Sequence, residues 1–274
     1  MDDCSVEGLG HVIDAFDNSG IPIRLVRLAK HYGAPVARNI GASLARGEII
    51  MFLDDDDAWR PPKIEVQLAT FHSNPGVGLV YTGTVFVDRA GRVLDASRDH
   101  LSGGGWPHIL FRNFIGPTSA VAMRRGLFDE VGQFDPHLQA LQDYDLWIRL
   151  SKAAPINYDG AHNLLFGTHG ETGGRIGEVT NNYSTAFDVL EQKYGSHLRD
   201  LNFWQRRRFR CQTRLVLAGK YFDNSEFGAC LLSFSQAAAL YPPAVFRVGR
   251  SAYRRARKVF MDWWHSRKAQ RLRC

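Results

Sequence analysis

The sequence predicts an α/β fold in which a sheet is flanked by helices, followed by an all-helical C-terminal region. Short apolar runs typical of strands alternate with segments of helical periodicity through residues 1–175. From residue 176 onwards the apolar positions recur at helical spacing only. A run of four aspartates, at 54–57, directly follows one of the apolar runs. These observations predict an α/β domain at 1–175 and a helical region at 176–274.

The start of the α/β region contains two predicted strands and a predicted helix between them. The stretch IPIRLVRL at 21–28 alternates apolar and polar residues and is rich in branched side chains, which favours a strand. The stretch APVARNIGASLARGE at 34–48 has roughly helical apolar spacing, with Gly47 where a helix would end. EIIMFL at 48–53 is short and almost wholly apolar, which suits a strand covered on both faces.

The elements after the aspartates continue the alternation. Pro61 and Pro62 fit the opening of a helix that ends near Asn74-Pro75-Gly76. VGLVYTGTVFVD followed by RAGRVL predicts a strand and a hairpin. TSAVAMRR at 118–125 is a further strand candidate, and DYDLWIRLSKAA at 143–154 is a helix candidate. The order of strands and helices indicates a layered α/β sheet.

Composition is that of an ordinary folded protein, with 45% hydrophobic and 23% charged residues. The four cysteines form no CxxC pair and no zinc-ligand spacing, which indicates reduced thiols in a cytosolic compartment. The apolar run at 227–240 has 14 residues and is too short to span a membrane. No secretory signal is visible in MDDCSVEG.

Four adjacent carboxylates at the end of a buried strand repel one another, and a cation would remove the conflict. In open α/β sheets, ligands bind at the carboxyl ends of the strands. Mg²⁺ and Mn²⁺ prefer oxygen ligands and often keep substrate phosphates, so one or two of these carboxylates could hold a metal on a diphosphate. A solvated acidic loop is the alternative interpretation. The flanking IIMFL and Ala58-Trp59 favour the metal site.

The segment FLDDDDAWRPPK resembles the inverting family-2 glycosyltransferases, whose fold is called GT-A and in which a strand ends in L-D-x-D-D before an aromatic residue and a proline. The resemblance extends over most of residues 1–175. It implies that Asp54 and Asp56 form the metal pair, with Asp56 the first choice. Asp55 would then lie near the ribose or the metal.

The same resemblance covers the upstream stretch ARNIGASLARGE and places Arg38 near the base or the phosphates. A plain surface arginine is the alternative. A second match is GQFDPHLQALQDYDLWIRL at 132–150, which is similar to the family's G-x-F-D and E-D-x-D-L-W-x-R motifs. Asp143 falls at the position of the general base, although from the residues alone it could equally interact with a helix N-terminus. Gln142 replaces the usual glutamate.

Two weaker matches concern the nucleotide. LLFGTHGETGGRI at 164–176 looks like the family's histidine-containing loop, which implies that His169 approaches the diphosphate or the metal; an exposed histidine is the alternative. MDDCSVEG resembles the V-D-D-x-S-x-D-G turn, which implies that Asp2 and Asp3 lie at the nucleotide, with Asp3 reading the base. In that alignment the family's first strand, first helix and most of its second strand have no counterpart here.

The resemblance implies a metal-dependent inverting glycosyltransferase that uses Mg²⁺ or Mn²⁺ and a nucleotide-sugar donor. UDP is favoured because Asp3 could accept the N3–H of uracil, a group that dTDP shares. The acceptor would be a saccharide or a lipid-linked molecule, in the setting of cell-surface polysaccharide or glycolipid synthesis. Two other functions stay open: a non-catalytic remnant of such a domain that serves in interactions, and a nucleotidyltransferase, whose usual glycine-rich phosphate loop is not found.

The net charge of +6 is concentrated at the C-terminus, because residues 247–274 contain ten Lys/Arg and one acid. Basic residues alternate there with Tyr253, Phe260, Trp263 and Trp264, which predicts an amphipathic helix. One interpretation is contact with an anionic membrane on the cytoplasmic face; the other is a solvated helix that packs its aromatic residues on the domain. Nucleic-acid binding is not expected, because no recognisable module accompanies the charge.

Overall fold

The computed structural model describes residues 1–10, 13, 20–167 and 176–243. They fall into two compact units, one within Met1–Gly174 and one within Arg175–Cys274. In the first unit, two four-stranded mixed sheets are accompanied by helices. In the second unit, every described element is helical. His169 and the basic tail at 247–274 lie outside the described residues.

The first sheet is built from short strands that pair over long sequence distances. Its strands are β1 (Ile49–Met51), β3 (Leu79–Tyr81), β6 (Val121–Arg124) and β7 (Ile156–Tyr158). Their spatial order is β1-β6-β3-β7. Strand β6 is antiparallel to β1 and β3, while β3 and β7 are parallel. Strand β3 is buried along its whole length because it lies inside the sheet.

The second sheet belongs to the same unit, and its strand order is β2-β8-β4-β5. Its strands are β2 (Asp57–Trp59), β4 (Thr84–Val87), β5 (Val93–Ala96) and β8 (Leu164–Gly167). Strands β4 and β5 form the predicted hairpin. Pairing of β2 with β8 brings the segment after the four aspartates onto the strand that precedes the predicted histidine loop.

The helices of the first unit follow local signals in the sequence. They are α1 (Ala34–Leu44), α2 (Lys63–Ser73), α3 (Arg125–Glu130) and α4 (Gln142–Ala153). Gly33 caps α1 with φ 91, a backbone conformation that favours glycine, and Pro35 occupies the first turn, where its missing N–H costs nothing. Pro62 caps α2. The helices predicted after Pro61-Pro62 and at 143–154 are therefore confirmed, and the first helix is confirmed with a correction, because it ends at Leu44 instead of Gly47.

Three strand predictions need correction. The stretch 21–28 forms a single bridge, between Arg27 and Asp2, because Asp2 alone of the described residues pairs with it. The run at 77–88 is divided at Gly83 between the two sheets; a Cβ there would lie 2.5 Å from His162, so the turn needs glycine. At 118–125 the strand begins only at Val121, after a single 3-10 turn.

The second unit contains α5 (Ile176–Lys193), α6 (Gly195–Asp200), α7 (Phe203–Asp223) and α8 (Phe227–Leu240). Asn202 and Gln205 form a capping box at the start of α7, each accepting a backbone N–H from the other. Helices α7 and α8 pack against each other as a hairpin. Among the described residues, no helix is both long enough and apolar enough to cross a membrane.

Candidate active site

The candidate site lies at one edge of the first sheet. Strands β1, β3 and β7 run in one direction and β6 runs in the opposite direction. The segments that follow β1 and β7 and the segment that precedes β6 therefore meet at the same edge. Asp54 follows β1, Asp159 follows β7, and Ser119 precedes β6. This is the edge where open α/β sheets bind their ligands.

The four aspartates form a tight turn at this edge. The N–H of Asp57 donates to the carbonyl of Asp54 at 3.1 Å, which leaves Asp55 and Asp56 at the exposed tip. Buried Ser119 fixes both sides of the turn. Its Oγ accepts from the Asp54 N–H at 3.0 Å, and its carbonyl accepts from the Trp59 indole at 2.8 Å. Ser119 thus binds the chain on both sides of the acidic turn, residues 54–57.

Asp57 differs from its three neighbours because it faces the second sheet. Its Oδ1 accepts from the N–H of Gly167 at 3.3 Å. Burial raises the pKa of the Asp57 carboxyl, and the charges of Asp56 and Asp54 raise the pKa further, while contacts with Ser119 and Gly167 oppose them. Asp57 is a structural residue of the turn. Part of the rise in the pKa of its carboxyl comes from the repulsion between neighbouring carboxylates that the sequence predicts.

Arg38 connects α1 to the acidic turn. Its Nη2 lies 2.5 Å from Oδ1 of Asp54, and both side chains are partly buried. The guanidinium also lies over the ring of Phe134, with Cζ 5.6 Å from the ring centre. Arg38 is therefore a partly buried residue that contacts the acidic turn. Its contact with a base or phosphate stays a prediction.

Asn39, which the sequence did not single out, binds Phe134, the residue whose ring lies against the guanidinium of Arg38. Its amide donates to the carbonyl of Phe134 at 2.8 Å, and its Oδ1 accepts from the Phe134 N–H at 3.0 Å. The Phe134 ring packs edge-on against Phe52 and Phe128 at 5.4 and 5.8 Å. The G-x-F-D match marked this phenylalanine; its partner lies 95 residues away along the chain.

We predict that Asn39→Ala lowers the free energy of unfolding by about 1–3 kcal/mol, because both polar groups of the Phe134 backbone lose their partner. Urea unfolding monitored by circular dichroism measures the change. Asn74→Ala is the matched control: its amide donates one exposed hydrogen bond, to the carbonyl of Thr70. We expect its effect to stay within about 0.5 kcal/mol. Equal effects of the two substitutions would contradict the role of Asn39.

Asp143 lies in the first turn of α4, two residues after the N-cap Leu141, which has the left-handed φ of 60°. A non-glycine residue in this conformation costs roughly 1–2 kcal/mol. Burial raises the pKa of the Asp143 carboxyl. The hydrogen bond from the Tyr144 N–H at 2.7 Å and the charge of Arg38 oppose this shift, while the charge of Asp54 adds to it. Asp143 therefore shares one electrostatic environment with Arg38 and the acidic turn.

The rest of the D-Y-D-L-W-I-R motif anchors α4. Asp145 is fully buried and accepts from Nε and Nη2 of Arg149 at 3.0 and 2.7 Å. Nη1 of Arg149 donates to the carbonyl of Val131 at 2.6 Å. The indole of Trp147 donates to the carbonyl of Gly116 at 3.0 Å. These contacts fix the helix, and with it the position of its first turn.

Asp2 and Asp3 hold the N-terminal segment against the stretch before α1. Asp2 accepts from the Ser5 N–H at 2.8 Å, and this hydrogen bond, with the nearby charge of Arg27, lowers the pKa of its carboxyl. The two oxygens of Asp3 accept from the N–H groups of Tyr32 and Gly33, each at 2.8 Å. Asp3 therefore fixes the loop that leads into Arg38. Contact of either aspartate with a nucleotide stays a prediction.

Lys63 is a buried basic residue beneath the acidic turn. Its Nζ donates to Oε1 of Gln67 at 2.8 Å and lies 4.2 Å from the centre of the Trp59 ring. Burial lowers its pKa to about 7, although the charge of Asp159 opposes this. The Gln67 amide donates to the carbonyl of Ala120 at 2.9 Å. Lys63 and Gln67 thus support Trp59 and the Ser119–Ala120 segment together.

The acidic turn fits a hard divalent metal in its donor set. Asp55 and Asp56 present exposed carboxylates, and the oxygen ligands they offer are those that Mg²⁺ and Mn²⁺ prefer. Within the described residues, no group of three or more His, Cys, Asp or Glu side chains is arranged to hold a metal. A metal at this turn would need further oxygen ligands, which a diphosphate can supply.

The acidic turn thus lies at one edge of the first sheet, and the charges of Arg38 and Asp54 act on the carboxyl of Asp143. Residues 1–132 match the family described as Glycosyl transferase family 2. The chain is 25% identical over 234 residues to an uncharacterized glycosyltransferase of Haemophilus influenzae, covering 82% of this chain and 74% of the relative. A putative teichuronic acid biosynthesis glycosyltransferase, TuaG of Bacillus subtilis, is 29% identical over 153 residues, with 56% and 59% covered.

Two solved structures share the fold. S. aureus TarS 1-349 in complex with UDP-GlcNAc superimposes with a TM-score of 0.53 at 13% identity, over 93% of this chain and 81% of that one. Mannosyltransferase PcManGT from Pyrobaculum calidifontis in complex with GDP-Man and Mn²⁺ gives a TM-score of 0.53 at 16% identity, over 92% and 69%. The predicted GT-A fold with a helical C-terminal region is confirmed.

Proposed function

We propose that this glycosyltransferase is metal-dependent and inverting, and that it moves a sugar from a nucleotide-diphosphate donor to a hydroxyl of a saccharide or lipid-linked acceptor. The observation that carries the proposal is the common electrostatic environment of Asp143, Arg38 and the acidic turn. A direct displacement needs a carboxylate that takes the proton of the acceptor hydroxyl and a site that binds the leaving diphosphate.

In the proposed reaction, Asp143 takes the proton from the acceptor hydroxyl. The acceptor oxygen forms a bond to the anomeric carbon from the face opposite the leaving group. The bond from that carbon to the diphosphate oxygen breaks, and its electron pair leaves with the diphosphate. Because burial raises the pKa of Asp143, its carboxylate is a stronger base than an exposed one.

Asp56 and Asp54 are the residues proposed to hold Mg²⁺ or Mn²⁺. When bound, such a metal offsets the charge that develops on the leaving diphosphate. Asp56 stays the first choice because its carboxylate is exposed at the tip of the turn, whereas Asp54 already contacts Arg38 at 2.5 Å. Asp55, beside them, and His169 are proposed to lie near the donor. The metal bound in PcManGT supports the choice of ion.

UDP is the proposed donor nucleotide. Each oxygen of the Asp3 carboxylate accepts one backbone N–H, and Oδ2 also lies 2.8 Å from Nδ1 of His31, so Oδ1 has acceptor capacity left for the N3–H of uracil. The UDP-GlcNAc complex of TarS supports this choice. The teichuronic acid role of TuaG supports polysaccharide synthesis as the setting. We place the activity on the cytoplasmic side, where the acceptor is a growing saccharide or a lipid-linked precursor.

A melting experiment tests the donor site. We expect UDP to raise the melting temperature by several degrees in the presence of Mn²⁺ and to have little effect with EDTA, since only the metal-bound diphosphate would be held firmly. GDP and dTDP at the same concentration serve as controls for the base. A shift of equal size without metal would contradict the metal-dependent site. No shift with any nucleotide would favour the non-catalytic alternative.

A further inference from the structure

The first turns of α7 carry two exposed aromatic side chains. Phe203 is 55% exposed and Trp204 is 61% exposed. Their rings lie 5.3 Å apart in an edge-to-face arrangement. Burying two large aromatic side chains would stabilise the protein, and their exposure to water forgoes this gain in free energy. Exposed aromatic residues are common on protein surfaces, so the residues that surround this pair carry the argument.

Exposed arginines surround this pair. Arg206 and Arg210 follow Phe203 at i+3 and i+7, so they lie on its side of the helix, and Arg208 follows Trp204 at i+4. The first turn of α7 contains no acidic residue, and the first acid of the helix is Asp223, its last residue. Cations are unfavourable at a helix N-terminus, so the helix dipole does not account for these arginines.

Acidic residues are scarce in the sequence around these arginines. Arg210 pairs with Glu191 of α5 at 2.9 Å, and both side chains are largely exposed. Between residues 199 and 210 there are five arginines and one acid, Asp200. We call Phe203, Trp204, Arg206, Arg208 and Arg210 the aromatic–arginine patch. Its charge is complementary to an anionic surface.

Helix α8 ends close to this patch. Nε of Arg207, which lies within the same turns, donates to the carbonyl of Leu240 at 2.6 Å. The end of α8 therefore lies beside the start of α7. A few residues later the sequence enters the 247–274 segment, with its ten Lys/Arg and one acid.

We propose that the aromatic–arginine patch binds the surface of an anionic lipid bilayer. Tryptophan and phenylalanine rings are favoured at the level of the lipid headgroups, and arginines pair with lipid phosphates through charge-assisted hydrogen bonds. The inference goes beyond the proposed function, because it concerns a surface of the helical unit. It gives a reason for aromatic and basic side chains to be exposed together.

The α7–α8 hairpin provides a matched control at its other end. Phe222 and Phe227 are 60% and 58% exposed, and their rings meet edge-to-face at 6.0 Å. This pair is flanked by Asp223 and Glu226 in the sequence. It has the same apolar character as Phe203 and Trp204 without a cluster of arginines. Substitution of either pair by serine removes a similar amount of exposed aromatic surface.

Flotation of the full chain with vesicles tests the proposal. We expect binding to vesicles of phosphatidylcholine with phosphatidylglycerol, little binding to phosphatidylcholine alone, and release at 1 M NaCl, where the Debye length is about 3 Å. The Phe203→Ser/Trp204→Ser variant should bind about tenfold more weakly. Arg206→Gln/Arg208→Gln should bind about 25-fold more weakly, since each basic residue near an anionic surface contributes roughly fivefold. Phe222→Ser/Phe227→Ser should bind like the unaltered protein.

Three results would overturn the proposal. Unchanged vesicle binding in Phe203→Ser/Trp204→Ser would assign all binding to other residues. An equal loss in both serine variants would show a general effect of apolar surface. Loss of a dimer in the patch variant, measured by light scattering, would assign the patch to a second copy of the chain. The assay uses neither donor nor metal, so its outcome is independent of the proposed reaction.

Discussion

Asp143→Asn is expected to lower kcat by about 100- to 10,000-fold while UDP binding with Mn²⁺ stays unchanged. The substitution keeps the size of the side chain and removes the group that accepts the proton. The melting shift with UDP and Mn²⁺ measures donor binding, and the initial rate of sugar transfer measures kcat. Full activity in Asp143→Asn with normal donor binding would show that Asp143 is not the base.

The same substitution should also change stability, in a direction set by the raised pKa of Asp143. A carboxyl whose pKa is higher in the folded state destabilises the fold when it is ionised. The penalty is present above the folded-state pKa and absent below the ordinary value of 3.8. We expect Asp143→Asn to melt at a higher temperature at pH 7 and to lose this advantage as the pH falls toward 3.8. Asp188→Asn, at an exposed position of α5, is the control.

The activity of the unaltered enzyme should follow the same group. The base acts only when ionised, so kcat/KM should fall as the pH drops through the raised pKa of Asp143. This acidic limb should lie above 3.8, the ordinary value for an aspartate. Its absence from a pH profile measured with a saturating metal concentration would contradict the assignment.

Asp56→Asn is the second substitution with a large expected effect. It removes the exposed carboxylate that is the first choice for the metal, so the Mn²⁺ concentration for half-maximal UDP binding should rise by about 100-fold or more. Titration calorimetry with UDP at a series of Mn²⁺ concentrations measures the change. The readout is binding, and it does not depend on transfer.

Asp57→Asn is the matched control within the same turn. Its carboxyl faces Gly167 and the second sheet, and burial raises its pKa. We expect this variant to keep the Mn²⁺ requirement and to melt at a similar or higher temperature at neutral pH. If Asp57→Asn weakened metal-dependent binding as strongly as Asp56→Asn, the division of roles within the turn would be wrong.

Local signals explain which parts of the fold were predictable. Helices α1, α2 and α4 carry their own periodicity, and all three form where the sequence predicts them, except that α1 ends at Leu44, before Gly47. The stretch 21–28 has the pattern of a strand, but only Asp2 pairs with it among the described residues. A strand pattern records which side chains suit a sheet and contains no information on the partner that supplies the hydrogen bonds.

The residues of the candidate site also divide into those that local patterns in the sequence mark and those that they do not. The acidic turn and Asp143 stand out because charged residues at strand and helix ends are visible in a sequence. Ser119 and Asn39 do not, because each acts on a residue far along the chain, 65 residues away for Asp54 and 95 for Phe134. Such contacts arise only when the sheet brings distant segments to one edge. The residues that support the site were therefore beyond prediction from local patterns.

The configuration of the product at the anomeric carbon tests the central claim most directly. Proton NMR of the transferred sugar reports this configuration through the coupling of its anomeric proton, because the glycosidic bond to the acceptor preserves it. Direct displacement assisted by Asp143 predicts that a donor with an α-linked sugar yields a β-linked product. A product that keeps the donor's configuration would contradict a single displacement, and with it the role of Asp143.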